Sequence, residues 1–322
     1  MPNRIWISWS FQRRSRELAE AFSAEYHHFG DRYLGRVRRY FRCIPKTLRL
    51  IGDQKPSALF VQNPSLILAT LAALLKSIYH YTLVIDLHTP YITLNRLFDF
   101  LFWKLQAYCV SRSDLTLVTN DNMKALFPRE GIMVLPDKLP HFENPGRREL
   151  EGDFSVVFVC TFSEDEPYEE VGKAARLVGD GVHIYVTGRF RRVGWAPEEM
   201  PPNVHLTGFL SEEAYVELLN SADAVMILTS QPDCLVCGAY ESVSLNKPMI
   251  LSNEEALRRY FSRGAVYVDN AAESIAAGIA AVIPDVERLS HDVAVLRETL
   301  EKDWREKFEV IAARLDSISP GA

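Results

Sequence analysis

The sequence has 322 residues, 48% hydrophobic and 24% charged, which excludes a disordered or collagen-like chain and leaves room for two domains of ordinary size. Its longest strongly apolar segment, residues 66–75, is about half of what a membrane-spanning helix needs. Five cysteines and a start without the layout of a secretion signal predict reduced thiols and a cytoplasmic protein.

The charge is divided unevenly along the chain. Residues 1–150 contain 21 Lys and Arg against 13 Asp and Glu, and residues 151–322 contain 15 against 29. The positive excess is densest over residues 32–49, where arginines alternate with aromatic residues. Such a pattern is typical of binding to an anionic membrane surface or to RNA, and it also fits a solvated amphipathic helix. We expect the membrane surface and no nucleic-acid partner.

The first half of the chain alternates between two kinds of segment. Apolar runs predict strands at residues 5–8, 58–62, 83–87, 115–119 and 131–135. Between them, helical spacing predicts helices at residues 14–24, 63–75 and 95–111. This alternation indicates βαβ units and a parallel sheet.

A polar segment with Pro and Gly, residues 141–153, marks a domain boundary. A second series follows, with strands predicted at 156–160, 183–187, 204–207, 225–228, 249–251 and 265–268, and helices at 169–177 and 212–221 and from residue 238. Residues 285–318 read as helical, with a bend near 302–305. The predicted organisation is therefore α/β with two Rossmann-like, doubly wound domains, 1–145 and 153–284. We expect residues 285–318 to pack back on the first domain.

Residues 225–252 (VMILTSQPDCLVCGAYESVSLNKPMILS) contain the main candidate site. A strand, a loop with Asp233 and a short helix with Glu241 succeed one another, and ligands of doubly wound sheets bind at such strand ends. The carboxylate of Glu241 can accept hydrogen bonds from both hydroxyls of a ribose. Backbone amides near Gly238 and Ala239 can bind phosphate oxygens. Asp233 can bind hydroxyls of a sugar. These features describe a nucleotide-sugar site.

Other strand ends supply further candidates. Arg189 follows Gly188 after a strand and suits a pyrophosphate, although a solvated turn has the same sequence. Cys234 and Cys237 form a CxxC, which we interpret as small residues around a ligand loop because further zinc ligands are missing. The sequence has no P-loop, no Gly-rich dinucleotide fingerprint and no DxD pair. We therefore expect no cofactor and no metal requirement.

The run PPNVHLTGFLSEEAYVELLNSADAVMILTSQPDCLVCGAYESVSLNKPMILSN resembles the GT-B glycosyltransferases. The resemblance is to the large retaining group known as family 4 or group 1, which includes sucrose synthases and bacterial glycogen synthases. Its hallmark is an acid, seven residues and then Glu, here Asp233 and Glu241, followed by Asn246-Lys247-Pro248. The segment VIDLHTP resembles the family's histidine-containing strand end and so implies that His88 lies in a cleft between the domains, near the transferred sugar.

The resemblance implies a retaining hexosyltransferase of the nucleoside-diphosphate sugar class. The catalytic candidates are His88 and Asp233, which the resemblance implies, and Asp86 beside His88. Our acceptor-side candidates, Arg13, Arg14 and Trp9, do not come from the resemblance. The implied donor-binding residues are Glu241, Arg189, Thr161, Gly188, Gly208, Phe209, Cys237, Gly238, Ala239 and Tyr240. We expect a role in surface polysaccharide, exopolysaccharide or lipid-linked glycan synthesis. The acceptor would be a lipid-linked saccharide, and the protein would be peripheral at the inner face of the cell membrane.

Three departures from the family pattern leave alternatives open. Asp233 replaces the usual Glu, residues 8–14 replace a Gly-rich turn, and an acidic segment, residues 161–167, replaces the usual Arg and Lys. With those two absent, Arg189 is our candidate for the diphosphate, with Arg13 or Arg14 assisting. The chain could instead be a nucleotide-sugar epimerase or a non-catalytic binding subunit.

Three candidate residues of the first domain could have a purely structural role instead. His88 could be a core histidine. Asp86 could orient His88 or cap a helix. Trp9 could be a core residue or a stacking platform for the acceptor.

Overall fold

The computed structural model describes residues 3–30, 36–63, 65–88, 96–232 and 234–319. Asp233, predicted to bind the sugar, lies outside the described residues. The chain divides into two compact units. Unit 1 consists of Met1–Lys138 with Asp303–Ala322, and unit 2 consists of Leu139–Lys302.

Unit 1 is built on a parallel sheet of six strands in the order β2-β1-β3-β4-β5-β6. The strands are β1 (Arg4–Ser8), β2 (Glu25–His28), β3 (Ala58–Asn63), β4 (Thr82–Leu87), β5 (Leu115–Val118) and β6 (Ile132–Val134). The helices between them are α1 (Arg13–Ala21), α2 (Arg36–Gln54), α3 (Leu66–Tyr79), α4 (Arg96–Arg112) and α5 (Asp121–Ala125). Strands β3 and β4 are buried along their whole length, as expected for a parallel sheet covered by helices on both faces.

Two apolar layers cover the faces of this sheet. Helices α2, α3 and α4 bury their inner sides against one face, and α1 with the end of the last helix covers the other. Trp9 belongs to the first layer, where it is 1% exposed and its Nε1 donates a hydrogen bond of 3.0 Å to Thr47 Oγ1. Of the two readings of Trp9, the structure therefore supports the core residue.

Unit 2 repeats the plan, with strand order β12-β11-β10-β7-β8-β9. Its strands are β7 (Phe154–Phe158), β8 (Val182–Thr187), β9 (Val204–Gly208), β10 (Ala224–Ile227), β11 (Met249–Ser252) and β12 (Ala265–Val268). The helices are α6 (Tyr168–Ala174), α7 (Glu212–Ser221), α8 (Cys237–Ser244), α9 (Glu255–Tyr260), α10 (Ala272–Val282) and α11 (Val286–Ile318), and 3₁₀ turns lie at Phe190–Val193, Pro197–Glu199 and Ile283–Asp285.

The last helix, α11, begins in unit 2 and ends in unit 1. Val293, Leu296 and Leu300 belong to an apolar cluster of unit 2, and Ile311 and Leu315 belong to one of unit 1. Residues 302–305 lie within this single helix, and the bend that the sequence predicted there stays a prediction. Within the residues that the structure describes, no helix is long and apolar enough to cross a membrane.

The order of the strands predicts where ligands bind. In each sheet the chain reverses its winding once, between β1 and β3 in unit 1 and between β7 and β10 in unit 2. In doubly wound sheets, ligands bind beyond the carboxyl ends of the strands at this switch point. The two edges to inspect are therefore those after β1 and β3 and after β7 and β10.

Candidate active site

Helix α8 begins at the switch point of unit 2. Gly238 packs so closely there that a Cβ would lie 3.0 Å from Ile227 Cγ1 and 3.2 Å from Val159 Cγ1, at the ends of β10 and β7. Glycine thus lets the helix start rest on the sheet, and helix N-termini favour anions. The Ala239 N–H donates to Val236 O at 3.1 Å, so one of the two predicted phosphate-binding amides already has a partner. The exposed Cys237 opens the helix as a thiol.

Glu241 lies one turn into α8 and is only 9% exposed. Its Oε2 accepts a hydrogen bond of 2.6 Å from the hydroxyl of Tyr215 on α7. A buried carboxylate is costly unless it is hydrogen-bonded, and the tyrosine meets part of this need. Sequence reasoning did not identify Tyr215, because its spacing on α7 is that of any amphipathic helix.

Tyr240, predicted to bind the donor, is a core residue. It is 3% exposed, and its ring packs against Tyr260 and Phe261 with centroids 5.4 and 5.2 Å apart. Any contact of this residue with a ligand would therefore involve its main chain.

Four predicted residues lie together after β8 and β9. Gly188 has φ +94°, and a Cβ there would lie 2.2 Å from Cys160 O, so glycine is required at this close approach. The Gly188 N–H donates to Gly208 O at 3.0 Å. The exposed Arg189 stacks on Phe209, with its guanidinium carbon 5.1 Å from the ring centroid. An always-charged guanidinium and an accessible aromatic ring therefore stand side by side at this edge.

The acidic loop after β7 holds its own carboxylate in place. Glu166 Oε2 accepts hydrogen bonds from the N–H groups of Thr161 and Ser163 at 2.9 and 2.8 Å and from Thr161 Oγ1 at 3.1 Å. Phe162 between them has φ +60°, which turns both N–H groups to one side as in an anion-binding nest. The chain itself thus occupies the anion-binding groups of Thr161.

In unit 1, Arg14 and Asp86 form a buried ion pair. Arg14 Nε lies 2.9 Å from Asp86 Oδ1, Nη1 lies 2.6 Å from Asp137 Oδ1, and Nη2 donates to Leu135 O at 2.9 Å. Burial by itself would raise the pKa of Asp86, but the charge of Arg14 and the neighbouring His88 side chain outweigh burial and hold this pKa below its ordinary value. Asp86 is therefore a carboxylate.

His88 follows β4 and adjoins this pair, with Nδ1 3.4 Å from Asp86 Oδ2. The two side chains are neighbours, but these two atoms do not form a hydrogen bond with each other, so the orienting role of Asp86 stays a prediction. The guanidinium of Arg14 already donates to Asp86, Asp137 and the main chain of Leu135. Its side chain is therefore not available to a substrate in this conformation. Arg13, at the start of α1, is partly exposed.

The structure brings the predicted residues together in two groups. Thr161, Gly188, Arg189, Gly208 and Phe209 share the carboxyl edge of the unit 2 sheet with the start of α8, which bears Glu241. In unit 1, Asp86 and His88 share the end of β4 with Arg14.

No family model and no curated protein sequence matches the chain. Among solved structures, it is similar to HepE of Anabaena in complex with UDP and glucose, at a TM-score of 0.74 and 12% identity, covering 99% of this chain and 100% of HepE. It is also similar to a glycosyltransferase of Rickettsia africae, at a TM-score of 0.66 and 11% identity, covering 97% of this chain and 90% of the other. A putative UDP-N-acetylglucosamine 2-epimerase of Listeria monocytogenes matches at 0.60 and 13% identity, covering 92% and 85%.

These likenesses concern the fold. The prediction of an α/β protein with two parallel, doubly wound sheets is confirmed, and the structural neighbours are GT-B glycosyltransferases together with an epimerase.

Proposed function

We propose that this protein is a glycosyltransferase that moves a sugar from a nucleoside-diphosphate sugar to an acceptor hydroxyl, and that unit 2 binds the donor. The observation that carries the proposal is the buried carboxylate of Glu241, held by Tyr215 at the start of a helix over the switch point. It is supported by the full-length similarity to HepE, which has been solved with UDP and with UDP-glucose.

In this proposal the carboxylate of Glu241 accepts hydrogen bonds from the ribose hydroxyls. One of its oxygens is oriented by Tyr215, and a carboxylate has lone pairs enough to accept further hydrogen bonds. Phe209 and the main chain of Gly208 would contact the base, as the resemblance implies. Gly208 ends β9, and Phe209 follows it beside Arg189.

The diphosphate would be neutralised by Arg189 and by the N-terminus of α8. Glu166 already fills the nest of Thr161 and Ser163, so we propose that the leaving phosphate binds outside that nest. Such binding of the diphosphate needs no divalent ion, because the guanidinium of Arg189 and the dipole of α8 supply the positive potential. Metal-independent transfer is thus part of the proposal.

The catalytic assignments rest on the family resemblance. We keep Asp233 as the residue for the sugar hydroxyls and His88, oriented by Asp86, as the group next to the reacting face. Transfer with retention has the same basis. An NMR determination of the anomeric configuration in the product tests it, and an inverted linkage would contradict it.

The acceptor proposal rests on the outer surface of one helical layer in unit 1. Helices α2, α3 and α4 cover the same face of the sheet, and large apolar side chains point outward from them. These are Phe41, Leu74, Ile78, Phe100 and Leu101, exposed by 57–76%. Exposed cations on α2 and α4 accompany them: Arg38, Arg42, Lys46, Arg49 and Lys104. Apolar side chains among cations suit an anionic lipid surface and a lipid-linked acceptor of glycan synthesis.

Vesicle flotation tests this surface. The protein should float with vesicles containing anionic lipid and not with purely zwitterionic ones, and Phe41→Ser should weaken flotation. Equal flotation of both proteins would contradict the assignment.

A second candidate function is epimerisation of a nucleotide sugar, favoured by the similarity to the Listeria protein. Both reactions require the nucleotide site of unit 2. They differ in whether an acceptor is consumed.

One experiment separates these functions. UDP-glucose and other nucleotide sugars are incubated with the protein, with and without a membrane lipid extract, and nucleoside diphosphate and sugar products are quantified. We expect diphosphate release that depends on the acceptor. Interconversion of sugars without acceptor would instead establish an epimerase, and binding without turnover in any condition would establish a binding subunit.

A further inference from the structure

Three potential metal ligands converge at the amino-terminal edge of the unit 2 sheet. Glu151, His183 and His205 can each place one ligand atom within 4.8 Å of the other two. His183 and His205 are second residues of the neighbouring strands β8 and β9, and His183 Nδ1 lies 2.8 Å from His205 Nε2. Because all strands of the sheet are parallel, this edge is opposite to the one that carries the candidate active site.

The segment with Glu151 is fixed against both histidines. The Glu151 N–H donates to the hydroxyl of Tyr185 at 2.7 Å, and the ring of Tyr185 stacks on His205 with centroids 4.5 Å apart and planes at 14°. Gly152 has φ +92°, and a Cβ there would lie 2.4 Å from His183 Cδ2. Only glycine lets the chain pass over this ring, so the sequence places Glu151 beside the pair.

The two histidines can each present one ring nitrogen to the same ion, because His183 Nδ1 and His205 Nε2 face each other. A neutral imidazole is the form that binds metal. The facing nitrogens both offer lone pairs when the hydrogens sit on His183 Nε2 and His205 Nδ1.

Two imidazoles and one carboxylate are a typical donor set for Zn²⁺, with one coordination position open to water, whereas Ca²⁺ and Mg²⁺ prefer oxygen alone. Tetrahedral bonds of about 2.0–2.1 Å to zinc place ligand atoms roughly 3.3 Å apart. The two nitrogens must therefore separate by about half an ångström, a small rotation of side chains that are only partly buried. A surface pocket of about 600 Å³, lined also by Arg148 and Leu210, adjoins Glu151 and His205.

We propose that Glu151, His183 and His205 bind one Zn²⁺ ion, which fastens the segment around Glu151 to strands β8 and β9. The site takes no part in the proposed sugar transfer, since it lies at the other edge of the sheet.

The test is a titration of the metal-free full-length protein with Zn²⁺ by calorimetry, followed by thermal unfolding with zinc or with EDTA. We expect one equivalent to bind and to raise the midpoint of unfolding. His183→Ala, His205→Ala and Glu151→Gln should each weaken zinc binding at least about tenfold, as loss of a ligand does. Glu151 has a side chain that is 74% exposed, so Glu151→Gln keeps the fold intact if a histidine variant does not.

Two control variants each remove a potential zinc ligand of the same unit that lies outside the proposed site. His291→Ala changes an exposed histidine on α11, and Cys234→Ser breaks the CxxC. Both should leave zinc affinity unchanged. The absorption of bound Co²⁺ gives an independent readout, since it should show tetrahedral coordination in the wild type and lose it in Glu151→Gln. Failure of the wild type to bind a stoichiometric ion, or unchanged affinity in Glu151→Gln and the histidine variants, would overturn the proposal.

Discussion

The hydrogen bond between Tyr215 and Glu241 allows a quantitative prediction. Tyr215→Phe removes the hydroxyl that donates to Glu241 Oε2 at 2.6 Å and changes nothing else in shape. A hydrogen bond to a charged group contributes about 1.5–3 kcal/mol, so the free energy of unfolding should fall by that amount. Urea unfolding measures this loss.

The effect on UDP binding should be smaller, because the hydrogen bond is present with and without ligand. What the variant loses is the fixed position of the carboxylate, and fixing one side chain on binding costs about 0.5–1.5 kcal/mol. The affinity for UDP, measured by calorimetry, should therefore fall about 2- to 12-fold.

Tyr267→Phe is the matched control. It removes a hydroxyl that donates to Phe261 O at 2.6 Å in the same unit, so it should lower stability while leaving UDP affinity unchanged. If Tyr215→Phe loses stability but binds UDP as the wild type does, Tyr215 does not position Glu241. A gain of affinity would mean that the phenol competes with the ribose.

Three further predictions concern other groups. Arg189→Ala should weaken binding of UDP by about 3- to 10-fold, a loss typical of one charge-assisted contact, and leave uridine binding unchanged in the same calorimetric assay; equal losses would exclude a diphosphate contact. Glu166→Ala should strengthen phosphate and UDP binding by freeing the N–H groups of Thr161 and Ser163 from a carboxylate, and unchanged affinities would show that the nest is not accessible to ligands. Burial raises the pKa of Glu17 from 4.5 to about 7, so the unfolded chain loses this proton first and wild-type stability falls as pH rises from 4.5 to 7. Glu17→Gln should therefore match the wild type near pH 4 and exceed it in thermal unfolding above pH 7, whereas a difference independent of pH would contradict the shift.

The architecture could be predicted from the sequence because its signals are local. A strand buried on both faces needs a continuous apolar run, and β3 and β4 show such runs. Strand β2 was missed because it lies at the edge of its sheet, where Glu25 and His28 are exposed and no apolar pattern is required.

The place of Glu241 could also be predicted, because a loop, a glycine and a helix start follow one another along the chain. Its partner Tyr215 comes from another helix, and only the packing of α7 beside α8 brings the two together. Glu166 is a similar case. The sequence shows an acidic loop, but the backbone turn at Phe162, which lets the chain bind its own carboxylate, is visible only in the structure.

Arg14 and Trp9 were predicted to lie at the acceptor side, and the structure shows instead that their side chains are buried. Both follow a strand end that composition and position mark as functional, and both are buried. Arg14 is held by Asp86 and Asp137, which are distant in sequence, and no local pattern announces such a partner.

The contact between Glu241 and the ribose is the central claim, and one calorimetric comparison tests it most directly. UDP and 2′,3′-dideoxy-UDP are titrated into the wild type, into Glu241→Ala, and into Glu213→Ala, which changes an exposed acid on α7. Hydroxyls that donate to a carboxylate are worth about 1.5–3 kcal/mol each, so removing both should cost the wild type and Glu213→Ala about 100-fold or more in affinity. Glu241→Ala should bind both nucleotides equally and weakly. If it still prefers UDP by the wild-type margin, Glu241 does not bind the ribose and the donor site is wrongly assigned.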